Sequence, residues 1–151
     1  MKLPDELLRQ QFVARMVRGT ILRFEFDDWN DPTKTSPGPK FGIVLNRAGL
    51  EDPIYLALTT SKTEPYYRTA QFDRVVIKIQ PGAYECFDIS TVIAFRHDPV
   101  TIQRSKLEEQ ILVGKLRFVG SLKPEHQTEV DRIVAEGVYI SARLLPDIGA
   151  A

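Results

Sequence analysis

Phe41-Gly42-Ile43-Val44-Leu45-Asn46, followed after a short polar spacer by Ile54-Tyr55-Leu56-Ala57-Leu58-Thr59-Thr60, decides how this chain folds. Both are short apolar runs of the kind that form buried strands. Few spacers along the chain are long enough for crossover helices, which favours antiparallel strands over a parallel doubly wound sheet. Upstream, Thr20-Ile21-Leu22-Arg23-Phe24-Glu25-Phe26 sets apolar Ile21 or Leu22, Phe24 and Phe26 against polar Arg23 and Glu25, which predicts a half-exposed strand. Downstream, Val75-Val76-Ile77-Lys78-Ile79 is stopped by Gln80-Pro81-Gly82, and Ser90-Thr91-Val92-Ile93-Ala94-Phe95 is stopped near Asp98-Pro99. Leu116-Arg117-Phe118-Val119-Gly120 reads as a last strand.

Helical periodicity sits mainly at the two ends. Leu8, Phe12 and Met16 recur at four-residue spacing after Pro4, Asp5 and Glu6, with Gly19 as a stop. Pro124 opens a second helix whose apolar stripe is Val130, Ile133 and Val134, up to Gly137. Residues 107–113 read as a short helix between them. The pattern is that of an antiparallel, barrel-like α+β domain. It divides into a helical extension over residues 1–17, a barrel domain over 18–140 and a tail over 141–151.

Between the first two strands lies Asp27-Asp28-Trp29-Asn30-Asp31-Pro32-Thr33-Lys34-Thr35-Ser36-Pro37-Gly38-Pro39-Lys40, too rich in turn formers to be anything but a long loop. Trp29 within it either anchors the loop or offers a stacking face. Residues 61–73 form a second polar loop that groups Tyr66, Tyr67 and Arg68.

The composition narrows the function. Formal charge is zero, so nucleic acid would have to be held by a local patch and not by a global basic field. Cys86 is the single cysteine and His97 and His126 are the only histidines, which argues against a disulfide framework or a Cys/His metal cluster. The Met1-Lys2-Leu3-Pro4-Asp5-Glu6 start lacks the apolar run of a signal peptide, and a reduced cytoplasmic setting without a membrane is expected. No nucleotide-binding glycine loop, zinc-protease motif or nucleophile elbow occurs.

What remains is a set of cations, hydroxyls and aromatics near strand ends: Lys40, Thr59, Thr60, Lys62, Arg68, and the Arg96-His97-Asp98 turn. Phosphodiester transesterification needs cations on the phosphate and an acid or base for the 2′-hydroxyl and the leaving oxygen. Lysine, threonine and a neutral histidine such as His97 supply those groups. Trp29, Tyr66 and Tyr67 offer faces for unpaired bases. The same residues are also compatible with solvated loop charges and a surface histidine.

In their order, these segments resemble the MazF/PemK family of toxins. Arg18-Gly19-Thr20-Ile21 is similar to that family's opening strand, and Asp31-Pro32-Thr33 to the start of its first long loop. Pro39-Lys40-Phe41-Gly42-Ile43-Val44-Leu45 falls where the family has Arg-Pro and an apolar strand. Ala57-Leu58-Thr59-Thr60-Ser61-Lys62 resembles its Thr-Ser-Lys strand end, Ser90-Thr91-Val92-Ile93 a later strand, and Leu116-Arg117-Phe118-Val119-Gly120-Ser121-Leu122 the stretch before its final helix.

The resemblance implies an SH3-like antiparallel β-barrel with N- and C-terminal helices. It also implies a homodimer and an endoribonuclease that cuts single-stranded mRNA with no cofactor or metal. A small acidic antitoxin is the implied partner. Thr59 falls on the family's catalytic threonine and Lys40 on its catalytic arginine, with His97 as an acid/base candidate. Trp29, Thr60, Lys62, Tyr66 and Arg68 are the candidate substrate-binding residues. Lysine at position 40 keeps a charge but lacks the planar fork that grips two phosphate oxygens. An alternative expectation follows: a barrel that binds RNA or protein without cutting, including a toxin directed at a topoisomerase.

Overall fold

A computed structural model of the chain describes residues 4–24, 40–47, 53–60, 76–87, 89–95 and 100–136. The architecture is α+β. Helix α1 spans Asp5–Arg15, α2 Arg104–Leu112 and α3 Pro124–Glu136. The strands are β1 Thr20–Phe24, β2 Lys40–Val44, β3 Ile54–Thr60, β4 Val76–Ile79, β5 Thr91–Ala94, β6 Val100–Ile102 and β7 Leu116–Ser121.

All ladders are antiparallel, in the order β4-β5-β3-β2-β1-β7, with β6 also on β3. Strand β3 is the hub. One edge takes β2, through Gly42↔Leu58, Ile43↔Ala57 and Val44↔Leu56. The other edge is divided: Ile54, Tyr55 and Leu56 pair with β6, and Thr59 and Thr60 pair with β5. Among the described residues the sheet does not close, because no ladder joins its ends at β4 and β7. The expected barrel is thus seen only as its coarser form, an open antiparallel sheet.

The pleat sorts β1, β2 and β3 onto two cores. Ile21, Ile43, Tyr55 and Ala57 meet β4, β5 and the α3 stripe of Val130, Ile133 and Val134. Leu22, Phe24, Val44, Ile54 and Leu56 face the other way, toward Phe12 and Met16 of the α1 region and Leu107 and Ile111 of α2. Strand β1 is therefore covered on both faces, which corrects the half-exposed reading. A fully buried side chain of this size contributes about 1.5–3 kcal/mol through its removal from water. Phe12 and Met16, both 0% exposed, make α1 an integral wall of the second core.

Local chemistry sets the element ends. Pro4 caps α1 from outside the helix, with extended backbone. At the end of α2, Gly114 has φ +78°; its N–H bonds to the Ile111 carbonyl and the Lys115 N–H bonds to the Gln110 carbonyl. These two bonds are a Schellman closure, which requires a left-handed residue. Asn46 is fully buried and closes the β2–β3 connection: its Nδ2 donates to the Pro53 carbonyl at 2.9 Å and its Oδ1 accepts the Tyr55 N–H at 2.8 Å. A β-bulge falls at Val119, where the β1–β7 register passes from Ile21↔Gly120 to Leu22↔Phe118.

Candidate functional site

The register of the sheet lines up one row of chemically distinct side chains. Arg23 of β1 is paired with Phe41 of β2 on one side and with Arg117 of β7 on the other. Extending the β2–β3 register by one residue brings Phe41 opposite Thr59, and Thr59 Oγ1 donates to the Phe41 carbonyl at 3.3 Å. Directly opposed residues project from the same face of a sheet. Arg117, Arg23, Phe41 and Thr59 thus form a continuous row across four strands. Three inter-strand steps make it about 14 Å long.

This row follows Ile21, Ile43 and Ala57 on the face of the first core. Its burial is graded. Thr59 is buried at 8% exposure, Arg23 and Phe41 are half-buried, and Arg117 is exposed. The row has an apolar floor, a hydroxyl at its closed end and two guanidinium groups toward the open end.

From Phe41 a series of ring contacts leads away along the same core. Phe41 meets Phe87 edge-on at 5.2 Å, Phe87 meets Tyr84 at 5.9 Å, and Tyr84 lies 5.6 Å from the His126 ring. The Tyr84 hydroxyl accepts the Lys123 backbone N–H at 2.8 Å and shares a 2.6 Å hydrogen bond with His126 Nδ1. The hydroxyl has one proton and two acceptor sites, so which group donates in the bond to Nδ1 follows the imidazole tautomer. Lys123 Nζ sits over the Tyr84 ring at 5.4 Å.

Burial pushes the Tyr84 phenol above its ordinary range; the Lys123 N–H pulls in the opposite direction, and the negative charge of Glu125 adds to the rise. The folded state thus holds this proton more tightly than the unfolded chain. The associated stability is fully present below about pH 10 and is lost as pH rises through the folded value. Urea unfolding from pH 8 upward should show an alkaline loss in the wild type, with that component missing in Tyr84→Phe.

The candidate residues from the sequence separate in space. Lys40 is directly opposite Phe24, so it projects with the second core, whereas Thr59 projects with the first. The expected pocket between these two side chains is not formed by direct adjacency. Thr60 is placed by its backbone opposite Val92. Trp29, Lys62, Tyr66, Arg68 and His97 lie outside the described residues.

Sequence reading passed over Arg23, Arg117, Tyr84 and His126. Arg23 was legible as the polar member of an alternating strand, but its neighbours depend on register, which one strand alone does not reveal. A cavity of about 520 Å³ lies where α1, α2 and β7 meet, lined among others by Leu8, Arg15, Ile111, Leu116, Arg117 and Phe118. It lies over the second core, and Arg117 belongs both to its lining and to the exposed end of the row. No protein-family model matches the chain, and no curated protein matches it.

Proposed function

We propose that this domain is a MazF/PemK-type toxin that cuts single-stranded RNA by transesterification, with no metal in the reaction. The carrying observation is the row that sets Thr59 beside Phe41, Arg23 and Arg117 on one sheet face. It combines what a phosphodiester substrate asks for: positive charge on the phosphate, a hydroxyl that donates to its oxygen, and an apolar, partly dry floor that strengthens both. The segments that carry the resemblance support the same reading, since the described ones include β1, β2, β3, β5 and β7 of one antiparallel sheet. An SH3-like barrel, a homodimer and a small acidic antitoxin belong to this proposal.

In the reaction, the 2′-hydroxyl attacks the adjacent phosphorus and the 5′-oxygen leaves, giving a 2′,3′-cyclic phosphate and a 5′-hydroxyl. Thr59 holds a phosphate oxygen, and the resemblance gives the charge-stabilising role to Lys40. The test is to incubate the full chain with a long mixed-sequence RNA in chelator and to identify the product ends. Cutting to 2′,3′-cyclic phosphate ends, lost in Thr59→Ala and in Lys40→Ala, is expected. RNA left intact by the wild type contradicts the enzymatic reading.

The opposite projection of Lys40 and Thr59 favours a second reading, in which the row binds RNA without cutting it. Saturable, stoichiometric binding of uncut RNA distinguishes that case.

A further inference from the structure

We infer that the cavity between α1, α2 and β7 is a binding site for an amphipathic carboxylate, a hydrocarbon body with one anionic head, and that Arg15 receives the head. The cavity lies over the second core, and the inference rests on no part of the RNA reading.

Size and lining carry the hydrocarbon half. The cavity holds about 520 Å³, within the range of about 300–1,000 Å³ that suits a small ligand. Its floor is apolar: Ile111 and Leu116 are buried, and Leu8 and Phe118 are half-buried. The floor continues outward into Val113, a lining residue that is 64% exposed. An apolar body laid across this surface removes both the floor and Val113 from water.

Charge carries the other half. The lining includes two arginines, Arg15 and Arg117, and no acid. Leu8, Gln11 and Arg15 follow one face of α1 at helical spacing, so an amide and a guanidinium stand along one wall. The Arg15 guanidinium lies over the Phe118 ring, 5.8 Å from its centroid. The cation is thus held against the apolar floor before any ligand arrives. Leu116 and Phe118 belong to the second core, and Arg117 alternates with them along β7, so the head is assigned to Arg15 while Arg117 adds positive charge at the rim. One guanidinium and one amide match the two oxygens of a single carboxylate.

The surroundings favour an anion. Glu108 of α2 is engaged by Arg9 at 3.9 Å and by Arg104 at 4.0 Å. Backbone donors answer part of the negative charge at the helix ends: the Met16 N–H meets the Phe12 carbonyl, and the Gly114 and Lys115 N–H groups meet those of Ile111 and Gln110.

The test uses the full chain and decanoate below its micelle concentration, with decanol and decyltrimethylammonium as neutral and cationic probes of equal chain length. Binding is followed by the methyl and ring resonances of Leu8, Ile111 and Phe118. Decanoate should bind saturably, about tenfold more tightly than decanol, with the ammonium probe weakest. Arg15→Gln should remove about that tenfold for decanoate and change decanol little. Arg9→Gln, the same charge change on α1 outside the lining, should leave both affinities unchanged. Gln11→Trp, at an exposed lining position, should block both probes. Thermal melts confirm that the variants are folded.

Equal affinity for decanoate and decanol, or full decanoate affinity in Arg15→Gln, overturns the assignment of the head. No saturable shift with any probe overturns the site. A wild-type dimer in sedimentation that Gln11→Trp disperses, with no decanoate bound, gives the cavity to a second copy of the chain and also overturns it.

Discussion

Phe12→Ala should destabilise the protein by about 3–5 kcal/mol, the usual cost of emptying a buried phenylalanine site. Phe12 is 0% exposed and sits with Met16, Leu22, Phe24, Leu107 and Leu116 in the second core. Phe12 also receives the Arg104 guanidinium over its ring at 5.3 Å, which ties α1 to the start of α2. The loss would remove about a fifth or more of the total stability of an ordinary domain. Urea unfolding followed by circular dichroism measures it. A change below about 1 kcal/mol would mean that α1 is an appendage and that the second core closes without it.

On the proposed reading, Thr59→Val should leave the fold nearly unchanged and reduce RNA cutting by about a hundredfold. The substitution keeps the branched shape and removes one hydroxyl. In the resting structure that hydroxyl makes only a 3.3 Å bond to the Phe41 carbonyl. A neutral bond of that length contributes about 0.5–1.5 kcal/mol at most, so stability is barely touched. Loss of one donor that meets the charge developing on a transferring phosphate costs about 10²–10³ in rate by analogy with oxyanion-hole donors. The rate constant from single-turnover cleavage is the quantity to compare, because a change confined to binding would leave it intact. Equal loss of stability and of activity would instead mark Thr59 as a packing residue.

The parts of the fold that were legible in the sequence are those fixed by local pattern. Ile54-Tyr55-Leu56-Ala57-Leu58-Thr59-Thr60 reads as a strand and β3 occupies those residues. Val130, Ile133 and Val134 read as the apolar stripe of α3, and all three are buried. Strand β6 was missed because Val100–Ile102 is only three residues long and follows a proline, too short for any periodicity to show. The covering of β1 on both faces was missed for a different reason. Its alternation of Arg23 with Phe24 mimics a solvated face, whereas Arg23 is half-buried on the face that carries Ile21 and Phe41.

The residue types of the row were legible in the sequence, and their arrangement was not. Cations, hydroxyls and aromatics at strand ends gave the expectation of phosphate chemistry, and Thr59 lies at one such strand end beside Phe41. Which cation stands beside Thr59 depends on pleat parity: in β2, Phe41 shares its face and Lys40 does not. A one-residue difference reverses every side chain of a strand, and sequence spacing carries no such information until the partner register is known. Tyr84 and His126 were invisible for a related reason. They lie on a turn and on α3, and only the tertiary fold brings them to 2.6 Å.

The most direct measurement is a chemical-shift map of the full chain titrated with a short single-stranded RNA analogue whose 2′-hydroxyls are replaced so that it resists cutting. A phosphodiester site on the first-core face predicts saturable shifts at Arg23, Phe41, Thr59 and Arg117, with Phe24 and Leu116 of the opposite face unmoved. Shifts confined to the α1 and α2 face, or no saturable shift at all, would contradict it.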